Sequence, residues 1–206
     1  MNTTKSAAFW AMVLILVAGV GIRCVGLEWG LPSKTFSFTT YHPDEAFVFQ
    51  TLENMKKTRT LHPLEIGLHY GTLHFYLSGV ILLAAKIAGL VQLGSREFLM
   101  ANLGQVDRMY MILRLFSVFC GAVSVWLVYA IGRRIYNDRT AVWAAFFMAF
   151  SAAAVDVGHY AKVDALLVPL TLLLIYFSIL LLDEPSRKNL WICGVLAGLL
   201  ASTRYN

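Results

Sequence analysis

The sequence predicts an all-α integral membrane protein with about five transmembrane helices and two further helices lying along the outer face of the membrane. Three observations carry this. Of 206 residues, 58% are hydrophobic and 14% charged, against roughly 25% charged in an ordinary soluble domain. Apolar runs approach the 20 or so residues that a helix needs to cross about 30 Å of hydrocarbon. The charged residues gather in short clusters between those runs, so the net charge of +5 forms no continuous basic face. Membrane lipids are therefore expected as partners and nucleic acid is not. Cys24, Cys120 and Cys193 lie far apart within or at the end of apolar runs, as small buried hydrophobes would.

The first run, residues 7–27, follows Lys5 and has no small-residue cleavage site, which makes it an uncleaved anchor rather than a signal peptide. Four more spans follow at residues 112–131, 141–157, 165–182 and 190–203; the one at 165–182 is close to pure Leu, Ile and Val with Pro169 near its start. The run 70–94 is apolar enough to span but carries His74 and Lys86. Charge decides its place. Arg133, Arg134, Arg139, Arg187 and Lys188 fall in two short loops that belong inside, together with Lys5. Crossing parity is kept only if 70–94 stays in the outer interface with Lys86 snorkelling. Residues 28–111 then form one long outer loop, which also contains an amphipathic helix at 44–57: Val48, Leu52 and Met55 share a face, acids open it, and Lys56 and Lys57 close it. Because the sequence stops directly after an apolar run, residues 1–206 are expected to be the N-terminal transmembrane module of a longer protein.

Three places could carry chemistry. In Tyr41-His42-Pro43-Asp44-Glu45, adjacent carboxylates stand at the mouth of a helix that proline starts abruptly; the alternative is a helix start whose acids satisfy free N–H groups and the dipole. His159-Tyr160-Ala161-Lys162-Val163-Asp164 lies on the same predicted face, so two acidic clusters could meet across one outer cavity, unless Asp164 simply caps a span. Arg114 opens the second span, where a cation suits an anion such as a lipid phosphate or else snorkels.

The ordered set HPDEAF, YGTLHFYLSG, RLFSVFCGAVSVWLVYAIGRRIY, HYAKVDALL and GVLAGLLASTRYN resembles the N-terminal half of GT-C glycosyltransferases. The branch is that of the dolichyl-phosphate-mannose protein mannosyltransferases and their bacterial relatives acting on lipid A or other envelope lipids. The resemblance implies a polyprenyl-phosphate-linked sugar as donor, transfer on the outer face of the plasma membrane, and an Asp-Glu pair in the first outer loop. By position it gives Asp44, Glu45 and Asp164 as the catalytic acids, and Arg114 as the arginine that opens the second span. His42, Arg114, His159, Lys162 and Arg204 are the expected substrate-binding residues. The chain departs from the pattern where many relatives carry a Pro-Pro segment, having His69-Tyr70-Gly71-Thr72 instead, and where Lys162 replaces the more usual arginine.

The expected reaction is transfer of a sugar to an envelope lipid, glycan or protein by single displacement, with Asp44 as the base and Arg114, Lys162 or Arg204 meeting the phosphate. The sequence does not establish a cofactor: neighbouring carboxylates and an anionic lipid could hold Mg²⁺ or Mn²⁺, and the cationic side chains could make a metal unnecessary. Two other classes fit the composition. A transporter or flippase of lipid-linked intermediates calls for charges deep within the spans, and a non-catalytic scaffold calls for Asp44 and Asp164 far apart.

Overall fold

Helix boundaries follow local chemistry in a computed structural model that describes residues 2–36, 38–61 and 70–204, with side chains from Ala7 onward. In chain order the helices are α1 (Asn2–Cys24), α2 (Pro32–Thr35), α3 (Pro43–Thr58), α4 (Leu73–Ile87), α5 (Arg96–Ala101), α6 (Leu103–Ile135), α7 (Asp138–Phe150), α8 (Ala152–His159), α9 (Val163–Asp183) and α10 (Arg187–Thr203). Asn137 caps α7 by accepting from Thr140 N–H, and Ser186 caps α10 by accepting from Asn189 N–H. There is no strand among the described residues.

By length and composition, α1, α6 and α9 can each cross a membrane. Helices α7 and α8 reach that length only together, as a pair bent by 55°. The fifth expected span, α10, has 17 residues and is not among these candidates, but it lies along α9. Helix α4 has 15 residues, about 22 Å of helix against about 30 Å of hydrocarbon. Its shortness agrees with the parity argument that places 70–94 in the interface.

Two expectations change. The second span is longer than residues 112–131 suggest, because α6 begins at Leu103 and takes in part of the expected loop. Its first turns are polar for a reason: Asp107 accepts from Ser33 N–H at 3.0 Å, and Gln105 accepts from Gln92 N–H at 2.9 Å. The third span is broken at Ser151. Arg23, 1% exposed, reaches across from α1 and donates to the carbonyls of Ala149 at 2.8 Å and Met148 at 3.3 Å. A break inside a membrane strands such carbonyls, and a guanidinium replaces the missing helical donors. Gly121 and Gly158 make the room, since a Cβ would lie 2.8 Å from Arg23 Nε at the first and 2.9 Å from its Cδ at the second.

Packing forms three clusters along the axis of α6. At one end Val48, Phe49, Phe75, Leu82, Val106, Tyr110 and Leu113 join α3, α4 and α6. At the other, Ala141, Ala145 and Ala149 form a stripe on α7 against Met12, Val125 and Tyr129. Cys120, Leu166, Leu170 and Leu196 tie α6 to α9 and α10. Leu14, Val17, Phe147, Leu182 and Trp191 are exposed, as expected for a surface that meets lipid tails. Cys24, Cys120 and Cys193 are free thiols, but of the three only Cys120 is buried as the sequence suggests; Cys193 is partly buried and Cys24, at the end of α1, is exposed.

Candidate active site

The site is assembled at the start of α3. His42, in an extended conformation, turns its Nδ1 to accept from Asp44 N–H at 3.3 Å, and Pro43 supplies the first helical position, where a missing N–H is harmless. This geometry sends the neighbouring acids in different directions. Asp44 remains half-buried, whereas Glu45 is wholly enclosed.

Each Glu45 oxygen has two donors. Oε1 accepts from Arg114 Nε at 2.9 Å and from Ala161 N–H at 2.8 Å; Oε2 accepts from Arg114 Nη2 at 2.7 Å and from the Thr40 hydroxyl at 2.6 Å. Arg114 also donates through Nη1 to the carbonyls of Leu27 and Trp29. One buried ion pair thus joins the turn after α1, the start of α3, the outer part of α6 and the loop before α9. An enclosed bidentate pair with its remaining valences filled is viable in a low-dielectric interior, and loss of either partner strands a charge.

Three of the expected site residues have their polar atoms taken up by other parts of the protein. Both Glu45 oxygens are already saturated. Arg114 does not face a lipid phosphate: it is 1% exposed and pairs with Glu45 and two carbonyls. The ring nitrogens of His159 lie 2.9 Å from Val155 O and 2.7 Å from Val25 O, tying α8 to the turn after α1. His42 serves as the α3 cap and packs on Tyr160, with ring centroids 4.4 Å apart.

The groups left for chemistry converge on Tyr70. Its hydroxyl donates to Asp44 Oδ1 at 3.2 Å. Asp44 forms no ion pair among the described residues. Burial, then the charge of Asp44 and the hydrogen bond to it, then the charge of Asp164 push the Tyr70 phenol up, while Arg204 pulls it down. Asp44 thus touches this hydroxyl, and the charges of Asp164 and Arg204 lie near enough to act on it. Asp164 accepts from Arg204 Nη1 at 2.8 Å, with both side chains about one-third exposed. Lys162 pairs with Asp156 at 2.8 Å and lies 5.7 Å from the Tyr160 ring centre.

Backbone contact holds Tyr70 in place. Gly71 N–H donates to Thr203 O at 3.0 Å, and a Cβ on Gly71 would lie 2.0 Å from Ser202 O. The YGT segment that departs from the Pro-Pro pattern is thus a latch onto the end of α10. Sequence reasoning passed over Tyr70, and the signal available for it was that same departure. It also passed over His74, the only histidine within the apolar run 70–94.

No group of three or more His, Cys, Asp or Glu side chains among the described residues is arranged to hold a metal ion. Glu45 has no free lone-pair direction and Asp164 is paired with Arg204.

No curated protein and no solved structure matches the chain. The sequence profile described as dolichyl-phosphate-mannose-protein mannosyltransferase matches residues 99–206, a stretch that contains Arg114, Asp164 and Arg204 but not Asp44. With more than half of its length covered, and with an all-helical bundle bearing membrane-length apolar helices, the chain belongs to this family of GT-C type membrane glycosyltransferases.

Proposed function

We propose that the protein transfers a glycosyl group from a polyprenyl-phosphate carrier to an envelope lipid, glycan or protein on the outer face of the plasma membrane. The observation that supports this most is the division of labour in the Asp-Glu pair. Glu45 is locked to Arg114 while its neighbour Asp44 keeps a carboxylate that, among the described residues, is held by the Tyr70 hydroxyl and by no ion pair.

In this reading an acceptor hydroxyl attacks the anomeric carbon, the bond from that carbon to the phosphate oxygen breaks, and the hydroxyl proton passes to Asp44. Polyprenyl phosphate leaves as an anion and the anomeric centre inverts. A departing phosphate needs fixed positive charge rather than a strong acid. With Arg114 enclosed, that role passes to Arg204 and Lys162, whose carboxylate partners are part-exposed to exposed. The outer orientation rests on Arg133, Arg134, Arg139, Arg187 and Lys188 gathering at the opposite end of the helices.

The test is transfer of labelled sugar from dolichyl-phosphate-mannose by the full chain in detergent. Asp44→Asn keeps shape and removes basicity, so turnover should fall by about 10² to 10⁴ while donor binding stays near its original level. Undiminished transfer by this variant removes Asp44 from the role of base. The broken pair α7–α8 is the feature that favours a transporter, since discontinuous helices frame many transport sites. Movement of the lipid without sugar transfer by the unaltered protein would decide for that alternative.

A further inference from the structure

His74 is the least satisfied side chain near this site. It is 2% exposed, and among the described residues neither ring nitrogen has a hydrogen-bond partner. Buried polar groups are paired in the great majority of cases, and each unmade bond costs about 1 to 3 kcal/mol. Packing alone does not explain the residue, because an aromatic hydrocarbon would fill the same space without that cost.

Its position gives a reason. His74 lies in the first turn of α4, directly after the Gly71 latch and one helical turn beyond Tyr70. Tyr70, four residues earlier in the chain, holds Asp44, and the charge of Asp164 acts on the imidazole. Leu73 and Leu77 of the same helix pack against the cluster of Leu166, Leu170 and Leu196, so this part of α4 is seated on the helices that carry Asp164 and Arg204.

We propose that the imidazole of His74 binds a hydroxyl group of the carrier-linked sugar and so helps to select which sugar is transferred. The inference rests on the transferase reading above. Burial holds the ring neutral, its titration pushed down to about 4, and a neutral imidazole has one donor and one acceptor. A sugar hydroxyl also both donates and accepts, and matches it. A phosphate offers only acceptors at neutral pH and would leave the ring's lone pair unpaired. Sites built to hydrogen-bond a hydroxyl discriminate strongly against an analogue that lacks it.

The experiment compares kcat/KM for decaprenyl-phosphate-linked mannose and its 2-, 3-, 4- and 6-deoxy counterparts, using the full chain in detergent. Donors are tested with the unaltered protein, His74→Phe and His74→Asn. One deoxy donor should lose about 10- to 100-fold with the unaltered protein. His74→Phe should lose a similar factor on the parent donor and show no further loss on that deoxy donor, and His74→Asn should regain part of the activity. Should His74→Phe accumulate poorly, the same cycle is read with His74→Gln. Equal losses on every donor would overturn the proposal while leaving the transferase reading intact, and would assign the ring to a water that substrate never displaces. Absence of transfer from every donor by the unaltered protein would remove both.

Discussion

Residue by residue, the neighbouring acids show how environment divides chemically similar groups. Glu45 and Asp44 carry the same functional group, yet one is sealed against a guanidinium and the other meets a phenol. Removing one partner from a buried pair leaves an uncompensated charge, so Glu45→Gln should destabilise the fold by about 3 to 5 kcal/mol, read as a lower midpoint in thermal unfolding in detergent. Asp44→Asn should shift that midpoint far less. A normal midpoint for Glu45→Gln would show that the pair does not hold the three segments together. His74 supplies a second prediction. Its titration drops from 6.5 to about 4 on burial, so the unfolded chain takes up a proton before the folded one does. Its stabilising effect is complete above pH 6.5 or so and is lost as pH falls toward 4. The unaltered protein should therefore lose more stability than His74→Phe between pH 7 and 4; parallel curves would refute the buried neutral ring.

Among the elements, α3 was legible because its signals are local. A proline, acids in the first turn, apolar residues at helical spacing and lysines in the last turn all fall within Pro43–Thr58. The start of α6 was not, since Gln105, Asp107 and Arg108 look like loop residues until their tertiary partners are known. The break between α7 and α8 was equally hidden: the residues around Ser151 are apolar and small, and the carbonyls they release are satisfied by Arg23 from another helix. Of the site, Asp44 and Asp164 could be read from the sequence, whereas burial of Arg114 depends on contacts with residues far away in the chain. The latch before α4 is the clearest such dependence. A side chain at Gly71 would collide with the backbone of Ser202, so Gly71→Ala should displace Tyr70 from Asp44. Transfer should fall by about tenfold or more, as a misplaced site predicts, and the thermal midpoint should fall with it because backbone must shift to make room. Full transfer by this variant would show that the latch does not set the geometry of Asp44.

At the scale of the whole molecule, α6 is the ruler. Arg114 sits in the clamp beside the site and Arg133 near the far end of the same helix, separated by a helical rise of about 28 Å, close to the thickness of the hydrocarbon core. At the far end Arg133 pairs with Asp138 at 2.6 Å and Arg134 with Asp183 at 2.9 Å, with Arg187 beginning the next helix. A bilayer placed on this frame puts the basic cluster at one surface and Asp44, Asp164 and Tyr70 at the other. Glu45 reinforces that arrangement, because its contact with Ala161 joins the segment before α3 to the loop before α9 at the same end. The proposed outward orientation of the site rests on the bias of lysine and arginine toward the cytoplasmic side. With Cys24, Cys120 and Cys193 replaced by alanine, single cysteines introduced at Tyr41 and Tyr160 should react in intact cells with a membrane-impermeant maleimide. Cysteines introduced at Arg134 and Ser186 should react only after permeabilisation. Reaction of Tyr41 and Tyr160 positions from opposite sides would require α4 to cross the membrane, and would separate Asp44 from Asp164. Reaction of both only after permeabilisation would instead leave the shared site intact and turn it toward the cytoplasm.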